Sequence, residues 1–479
     1  MKENTNLKKA DLILKDGLIA LPNGIFAGSI IVNDGKISAI TNSRDLPSAE
    51  EVCELKGKMV LPGMVDTHIH LRDPGSTERD DFYHGTMAAA AGGVTTVLEM
   101  PISTPAVWSG EIFQSRHDHL VEKSLVDFGL YGSAGIENLE EITKMAELGA
   151  VAYKTFLVEP SPERIKEFYG SCAFRSGEML RMLLKVKETG LLATVHAEDS
   201  SVAAYFQEKM VEAGRMDGRA HSEGRPELVE EVSVATILAV NEYAQARLHF
   251  CHITSPRSLA MIQEAKRRGM PVSCETSPHY FLFNDDALAA LGPFAKTNPP
   301  IRPEAVRASL YESVMAGQFD LICSDHSPYT YEEKARGIDN IWAATTGVAG
   351  LGMVLPLLLK EVNAGNMNML LLIKLIAESP ARIFGLFPRK GAIMLGADAD
   401  LVVVDMEKRG VITEDMLYTK AKHCAQLYLG FHYHGWPVKT YLRGRLIMDE
   451  GKIVAEHGWG KFLSPMSKPE MQEEAVCAH

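Results

Sequence analysis

Four histidines and one aspartate in this sequence each close a short apolar run. His68 and His70 end the stretch Val65-Asp66-Thr67-His68-Ile69-His70. A spacing of two places both imidazoles on one face of a strand. Imidazoles converging on one point suit a borderline divalent cation such as zinc. Taken alone, the pair could equally be two ordinary polar histidines. Its position strengthens the metal reading, because it follows an apolar run and precedes a loop rich in Gly and Pro. His196 ends LLATVHAED and His252 ends RLHFCHIT. By alternation Leu248, Phe250 and His252 share a face, which predicts that His249 points outward. Asp325 ends FDLICSDHS. A carboxylate emerging from an apolar strand must be paired or bind a metal, since burying it bare is costly. A salt bridge or a helix cap would also satisfy it. Beside four histidines, a metal ligand that also handles protons is the better reading.

Lys154, in AVAYKTFLV, is the most unusual residue of the set. Lysine is almost never fully buried without a partner. It could be a Schiff-base nucleophile or one half of a salt bridge. It could also react as a neutral amine with carbon dioxide, giving an anionic carbamate able to bridge a pair of metal ions. Spacing leaves these three readings open.

These side chains need a scaffold that brings strand ends together. Eight apolar runs can be counted: GMVDTHIHL, GVTTVLEMP, VDFGLYGSA, AVAYKTFLV, LLATVHAED, RLHFCHITS, PVSCETSPH and FDLICSDHS. Helical stretches such as DFYHGTMAAAAGG, NLEEITKMAELG, RSGEMLRMLLKVKETG and SPRSLAMIQEAKRRG alternate with them. Alternating strands and helices argue for parallel βα units, and eight units fit an α/β (β/α)8 TIM barrel over 61–387. An open doubly wound sheet is the alternative, but no Gly-rich nucleotide fingerprint follows the first run. Barrel enzymes carry their chemistry at the C-terminal strand ends, where these polar residues fall. Residues 1–60 and 388–463 read instead as short strands. Asp16-Gly17 and Asp34-Gly35 serve there as turns, and together the two segments predict a small β-sandwich domain. Residues 464–479 read as a polar tail.

Composition narrows the function. Net charge is -13, which argues against nucleic acid or an anionic membrane as partner. The seven cysteines form no C-x-x-C pair and read as reduced thiols of a cytoplasmic protein. The first residues lack an apolar signal core, and the longest apolar run, Gly347 to Leu359, contains Pro356 and is too short to span a bilayer.

The combination Gly63-Met64-Val65-Asp66-Thr67-His68-Ile69-His70 with Lys154, His196, His252 and Asp325 resembles the cyclic amidohydrolases. That family holds hydantoinases (dihydropyrimidinases), allantoinases and dihydroorotases. The resemblance runs through AAAAGGVTTVLEMP, CETSPHYF, KTNPPIR, SDHSP, ESPARIFGL and GADADLVVVD, so it covers nearly the whole chain. It implies a binuclear centre, usually zinc, that opens a small cyclic amide. By this resemblance His68, His70 and Asp325 would bind one ion and His196 and His252 the other. Carboxylated Lys154 would bridge them, and Asp325 would also carry the proton. It further implies a homotetramer or homodimer. Some relatives are non-catalytic structural proteins, but those have lost ligands that are all present here. A mononuclear deaminase would not need Lys154.

The ring itself is less clearly written. Dihydroorotases resemble this chain at Arg72, whose counterpart holds a substrate carboxylate. They usually carry Asn where Ser103 stands and His where Tyr329 stands. Allantoinases often show Trp-Glu after the P-G turn, which is absent here, and a Cys before P-P, where Thr297-Asn298 stands. CETSPHYF and SDHSP are nevertheless similar to allantoinases. Many hydantoinases place a Tyr where Glu159 stands, whereas MPIST and EHGWGKF resemble a hydantoinase branch without it. The expectation is a cyclic ureide or imide of hydantoin or allantoin type, with dihydroorotase as the alternative. Arg72, Ser103, Ser277, Asn298 and Tyr329 are the candidate substrate contacts. His279 and His326 are loop residues that could support the ligands, and packing is the simpler role for both.

Overall fold

The computed structural model of the chain describes residues 9–466. Residues 467–479, most of the tail read as polar, lie outside the described residues. Eight parallel strands stand side by side in chain order: Met64–Ile69, Val94–Glu99, Asp127–Ser133, Ala152–Phe156, Ala193–His196, Leu248–Phe250, Val272–Thr276 and Leu321–Ile322. The ring closes where the His70 amide donates to the His326 carbonyl at 2.7 Å, joining the first strand to the continuation of the eighth. A closed TIM barrel excludes the open-sheet alternative. Its strands are covered on both faces, so they read as continuous apolar runs rather than alternating ones.

Local chemistry sets the helices between them. Phe82–Ala91 starts where the Asp81 side chain accepts from the His84 amide. It ends at Gly92-Gly93, and Gly93 takes a left-handed φ of 82°. Leu139–Glu147, Ser176–Thr189 and Pro256–Arg267 match the other helical stretches read from sequence. After the eighth strand, Ser379–Ile383 leads into Phe384, whose ring meets Tyr131 at 5.9 Å and His249 at 5.8 Å. This ring sits inside the barrel beneath the site.

A second, nine-stranded mixed sheet draws on both ends of the described chain. Met59–Pro62 pairs antiparallel with Leu401–Val404, so the N- and C-terminal parts share one ladder. Two local readings change. Asp16-Gly17 does not end a strand: Ala10–Leu21 is continuous, with a bulge where Asp16 takes φ 57°. Asp34-Gly35 does turn the chain, with φ 53° and 74°, as a tight hairpin between Gly24–Asn33 and Lys36–Thr41 requires. The sequence Ala49–Glu54 also forms a strand, parallel to Ala10–Lys15, although its charged composition hides it. Beyond the sheet, Lys461 and Leu463 bond the backbone of Phe128 and return the chain to the third barrel strand.

Candidate functional site

The C-terminal strand ends converge. His68 Nε2 lies 3.1 Å from His70 Nε2 and 3.4 Å from Asp325 Oδ1, and His70 Nε2 lies 3.9 Å from the same oxygen. Across the barrel, His196 Nδ1 lies 3.0 Å from His252 Nε2. The His68 and His252 rings are 5.4 Å apart, so the two groups form one cluster. Lys154 is fully buried among them, with Nζ 2.9 Å from Cys251 Sγ.

Burial decides the protonation states. It lowers His68 to about 4, assisted by the nearby Lys154 charge and opposed by Glu275. Burial also drives His70 and His252 well below the ordinary imidazole range and lowers His196. All four imidazoles are therefore neutral near pH 7, the form that donates a lone pair. Asp325 is pushed up to about 8 by burial, against the pull of Lys154.

The distances fit a metal. Ligands held about 2.0–2.2 Å from one tetrahedral ion stand roughly 3–3.5 Å from each other. Pairs of neutral imidazole nitrogens face one another at that separation, where at most one of each pair can carry a proton. Among the described residues no carboxylate lies within salt-bridge distance of Lys154, so the salt-bridge reading is not met.

Backbone strain helps assemble the cluster. Arg72, His252 and Asp325 take φ of 54°, 33° and 46°, a region non-glycine residues seldom occupy outside functional sites. For His252 this corrects the alternation argument. The sixth strand ends at Phe250, with Leu248 and Phe250 packed outward in the apolar core. His249 is in register with Thr194 and Ser273. It points into the barrel, completely buried, bonding Ser273 Oγ at 2.8 Å and Glu275 Oε2 at 3.1 Å. His252 reaches the site because the chain turns left-handed there, not because it shares a face with Phe250.

Two carboxylates escaped the sequence reading. Glu275 Oε1 lies 2.5 Å from His68 Nδ1, and Glu198 Oε2 lies 2.7 Å from His196 Nε2. Glu275 is the penultimate residue of the strand Val272–Thr276, close to the signal that singled out Asp325, and Glu198 follows His196 by two residues. Burial opposes their charge, yet His68 and His249 hold Glu275 well below the usual carboxylate range, while Arg225 and His196 do so for Glu198.

The candidate substrate residues scatter. Arg72 is 1% exposed. Its Nη1 donates to the Pro328 carbonyl at 2.6 Å, and its Nη2 donates to Ser327 Oγ and Tyr329 Oη at 2.9 and 3.1 Å. Arg72 and Tyr329 therefore meet. Ser103 Oγ bonds the Pro105 carbonyl of its own loop, and Ser277 Oγ lies 3.5 Å from Cys323 Sγ. Asn298 Oδ1 is buried without a hydrogen-bond partner. His279 bonds Tyr428, and His326 accepts from the Leu351 amide, so neither ring touches a candidate ligand through a hydrogen bond. Among the described residues no helix is long and apolar enough to cross a membrane.

A sequence profile described as the amidohydrolase family matches residues 59–447. The chain belongs to the amidohydrolase family. It is 31% identical over 456 residues to an L-hydantoinase of Paenarthrobacter aurescens, covering 95% of this chain and 98% of that one. It is 35% identical over 430 residues to a dihydroorotase of Methanothermobacter thermautotrophicus, covering 90% and 93%. An allantoinase of Escherichia coli is 33% identical over 452 residues, covering 94% and 98%. The solved L-hydantoinase (dihydropyrimidinase) of Arthrobacter aurescens superposes with a TM-score of 0.90 at 30% identity, covering 95% of this chain and all of that one. Membership of this family and these relatives support a hydrolase of carbon–nitrogen bonds in cyclic amides. Amidohydrolases depend on metal, and the His68, His70 and Asp325 cluster has metal-ligand spacing.

Proposed function

We propose that this amidohydrolase opens the ring amide of a cyclic ureide or imide of hydantoin or allantoin type, using a binuclear centre. The observation that carries this reading is the convergence on one point of four neutral imidazoles, Asp325 and a buried lysine whose hydrogen bond is to Cys251. His68, His70 and Asp325 would hold one ion, His196 and His252 the other. Lys154 would serve both after its neutral amine adds carbon dioxide and releases a proton. Zinc suits this nitrogen- and oxygen-rich donor set. Bound ions of this kind supply Lewis acidity and lower the pKa of water to about 7.

The protein's own part is positioning and proton transfer. Asp325 takes the proton of the attacking water and returns it to the leaving ring nitrogen, splitting the ring amide into a carboxylate and a ureido or amide nitrogen. Its hydrogen bond from Tyr280 at 3.5 Å leaves the other oxygen facing His68.

Arg72 bears on the ring. Three of its hydrogen bonds go to the Ser327–Tyr329 loop, which follows Asp325 directly. Its guanidinium therefore braces the loop behind the proton carrier, which supports an uncharged ring rather than a ring carboxylate. The test is an assay of zinc- and bicarbonate-supplied protein against hydantoin, 5-substituted hydantoins, dihydrouracil, allantoin and dihydroorotate. Turnover of a hydantoin or allantoin alone is expected. Selective turnover of dihydroorotate would overturn the uncharged-ring reading, and no turnover with no bound metal would overturn the hydrolase mechanism.

A further inference from the structure

We infer that residues 412–431, which belong by connection to the second sheet, form a strap across the mouth of the barrel. His423 on this strap is a positioning residue for Tyr329 and, through it, for Arg72. The effect on substrate rests on the ring-opening reading above; the effect on the loop stands without it.

The strap joins Leu401–Val411 to His432–Leu442, two strands that pair antiparallel. Such a pair needs only a short hairpin. This connection is long instead, and it holds nothing regular beyond two 3-10 turns, Glu414–Met416 and Lys422–Ala425. Connections of that kind are usually functional. Its apolar residues show where it goes. Leu417, Cys424, Leu427 and Tyr428 are buried in one cluster with Tyr329 and Val348 of the barrel loops. The core of the sheet is a separate cluster, built from residues such as Leu12, Ile30, Leu401 and Tyr441. The strap therefore packs its apolar side on the barrel.

Polar contacts fasten it to three barrel loops. After the first strand, the Thr419 hydroxyl bonds Asp80, and Lys420 Nζ pairs with Asp81 at 3.0 Å. After the seventh, Tyr428 Oη lies 3.1 Å from His279 Nδ1. Gly350 makes room for that hydroxyl, since a Cβ there would approach it to 2.9 Å. After the eighth, the Ala349 amide donates to the Cys424 carbonyl at 3.0 Å. The Tyr329 carbonyl accepts from His423 Nε2 at 2.8 Å and from Cys424 Sγ at 3.3 Å. Tyr329 is thereby held at both ends. Its ring lies under the guanidiniums of Arg72 and Arg79, 4.5 and 4.8 Å from its centroid, and its hydroxyl accepts from Arg72. The arginines fix the ring, and the strap fixes the backbone. Tyr329 follows Asp325 in the chain and Arg72 follows His70. A shift of Tyr329 would therefore move the wall around a bound ring and leave the metal ligands in place.

Hydrogen exchange and steady-state kinetics on the full-length protein test this. His423→Phe keeps a ring of similar breadth and removes the donor. The Ser327 and Thr330 amides are bonded to the Val348 carbonyl and to Glu333. They should exchange about 2- to 10-fold faster in that variant, the range of one hydrogen bond, while amides of the barrel strands keep their protection. On whichever ring the protein opens, KM should rise by a similar factor with kcat and metal content unchanged. His423→Gln, whose amide nitrogen can take the place of Nε2, should restore both readouts. Unchanged exchange at Ser327 and Thr330 in His423→Phe would overturn the inference. So would faster exchange spread over the whole barrel, or loss of kcat together with metal, since either makes His423 a residue of the fold alone. A His423→Gln variant as disturbed as His423→Phe would count equally against it. If none of the assayed rings is opened, the ring-opening reading fails by itself, and exchange at the two amides still decides the role of the strap.

Discussion

Two buried charge clusters occupy opposite ends of this barrel. At the N-terminal end, Lys390 Nζ lies 2.5, 2.9 and 2.7 Å from Asp127, Asp398 and Asp400, and Arg443 also pairs with Asp127. Those aspartates have the spacing of a metal site, but an ammonium already fills it. Asp127 begins the third barrel strand, and Asp398 and Asp400 precede a strand of the other sheet. The cluster therefore ties the two sheets together. At the C-terminal end the arrangement is inverted: imidazole nitrogens face one another, and among the described residues no carboxylate lies within salt-bridge distance of Lys154. A network with its own counter-charge stabilises; the histidine cluster has the spacing to hold a cation. Acidic or imidazole density alone does not separate the two, but the presence of an internal counter-charge does.

Substitutions can test this contrast. Lys154→Ala should have the largest effect. It should empty both positions by metal analysis and reduce ring opening by more than about 1000-fold, since metal assistance contributes several kcal/mol. Retained metal and turnover would defeat the bridging role. Asp325→Asn keeps the shape but removes the proton acceptor, and turnover should fall by roughly 100- to 10,000-fold while most metal remains. Full activity would exclude the proton-carrier role. At the other end, Lys390→Met should leave metal content unchanged. It should destabilise the fold by about 3–5 kcal/mol in urea unfolding, because Asp127, Asp398 and Asp400 lose the buried cation they share and Asp127 keeps only Arg443. A loss below about 1 kcal/mol would mean the cluster is not a tie.

The smallest expected effect concerns pH. Lys296 and Lys334 are buried and donate to backbone carbonyls, and burial lowers them to about 7 and about 8. Their folded-state values lie below the unfolded 10.5, so between those limits the unfolded chain binds more protons. Stability should therefore rise with pH from about 7 upward, by at most about 1.4 kcal/mol per pH unit for each group. Lys296→Met should flatten that slope, and an unchanged slope would exclude Lys296 as its source.

The barrel was legible because its strands are uniformly apolar and interrupt a helical texture at regular intervals. The metal cluster was legible because polar residues stood at the ends of those runs. What failed was fine geometry. Alternation breaks where a strand ends early, and the sixth stops two residues before His252. Glu275 and Glu198 were passed over because a carboxylate beside a histidine looks ordinary until the nitrogen it touches is known. The bulge at Asp16-Gly17 and the turn at Asp34-Gly35 share the same two letters, and only the pairing of the flanking residues separates them.

The division between strands and loops has a consequence for descent. The candidate metal ligands come from strand ends pinned by backbone pairing or lie just beyond them. Arg72, Ser103 and Tyr329 belong to loops beyond those strand ends. A lineage can rewrite those loops one substitution at a time while its hydrolytic machinery stays intact. Relatives bearing three different ring-opening names stand at nearly equal distance from this chain, between 31% and 35% identity, as such loop rewriting would leave them.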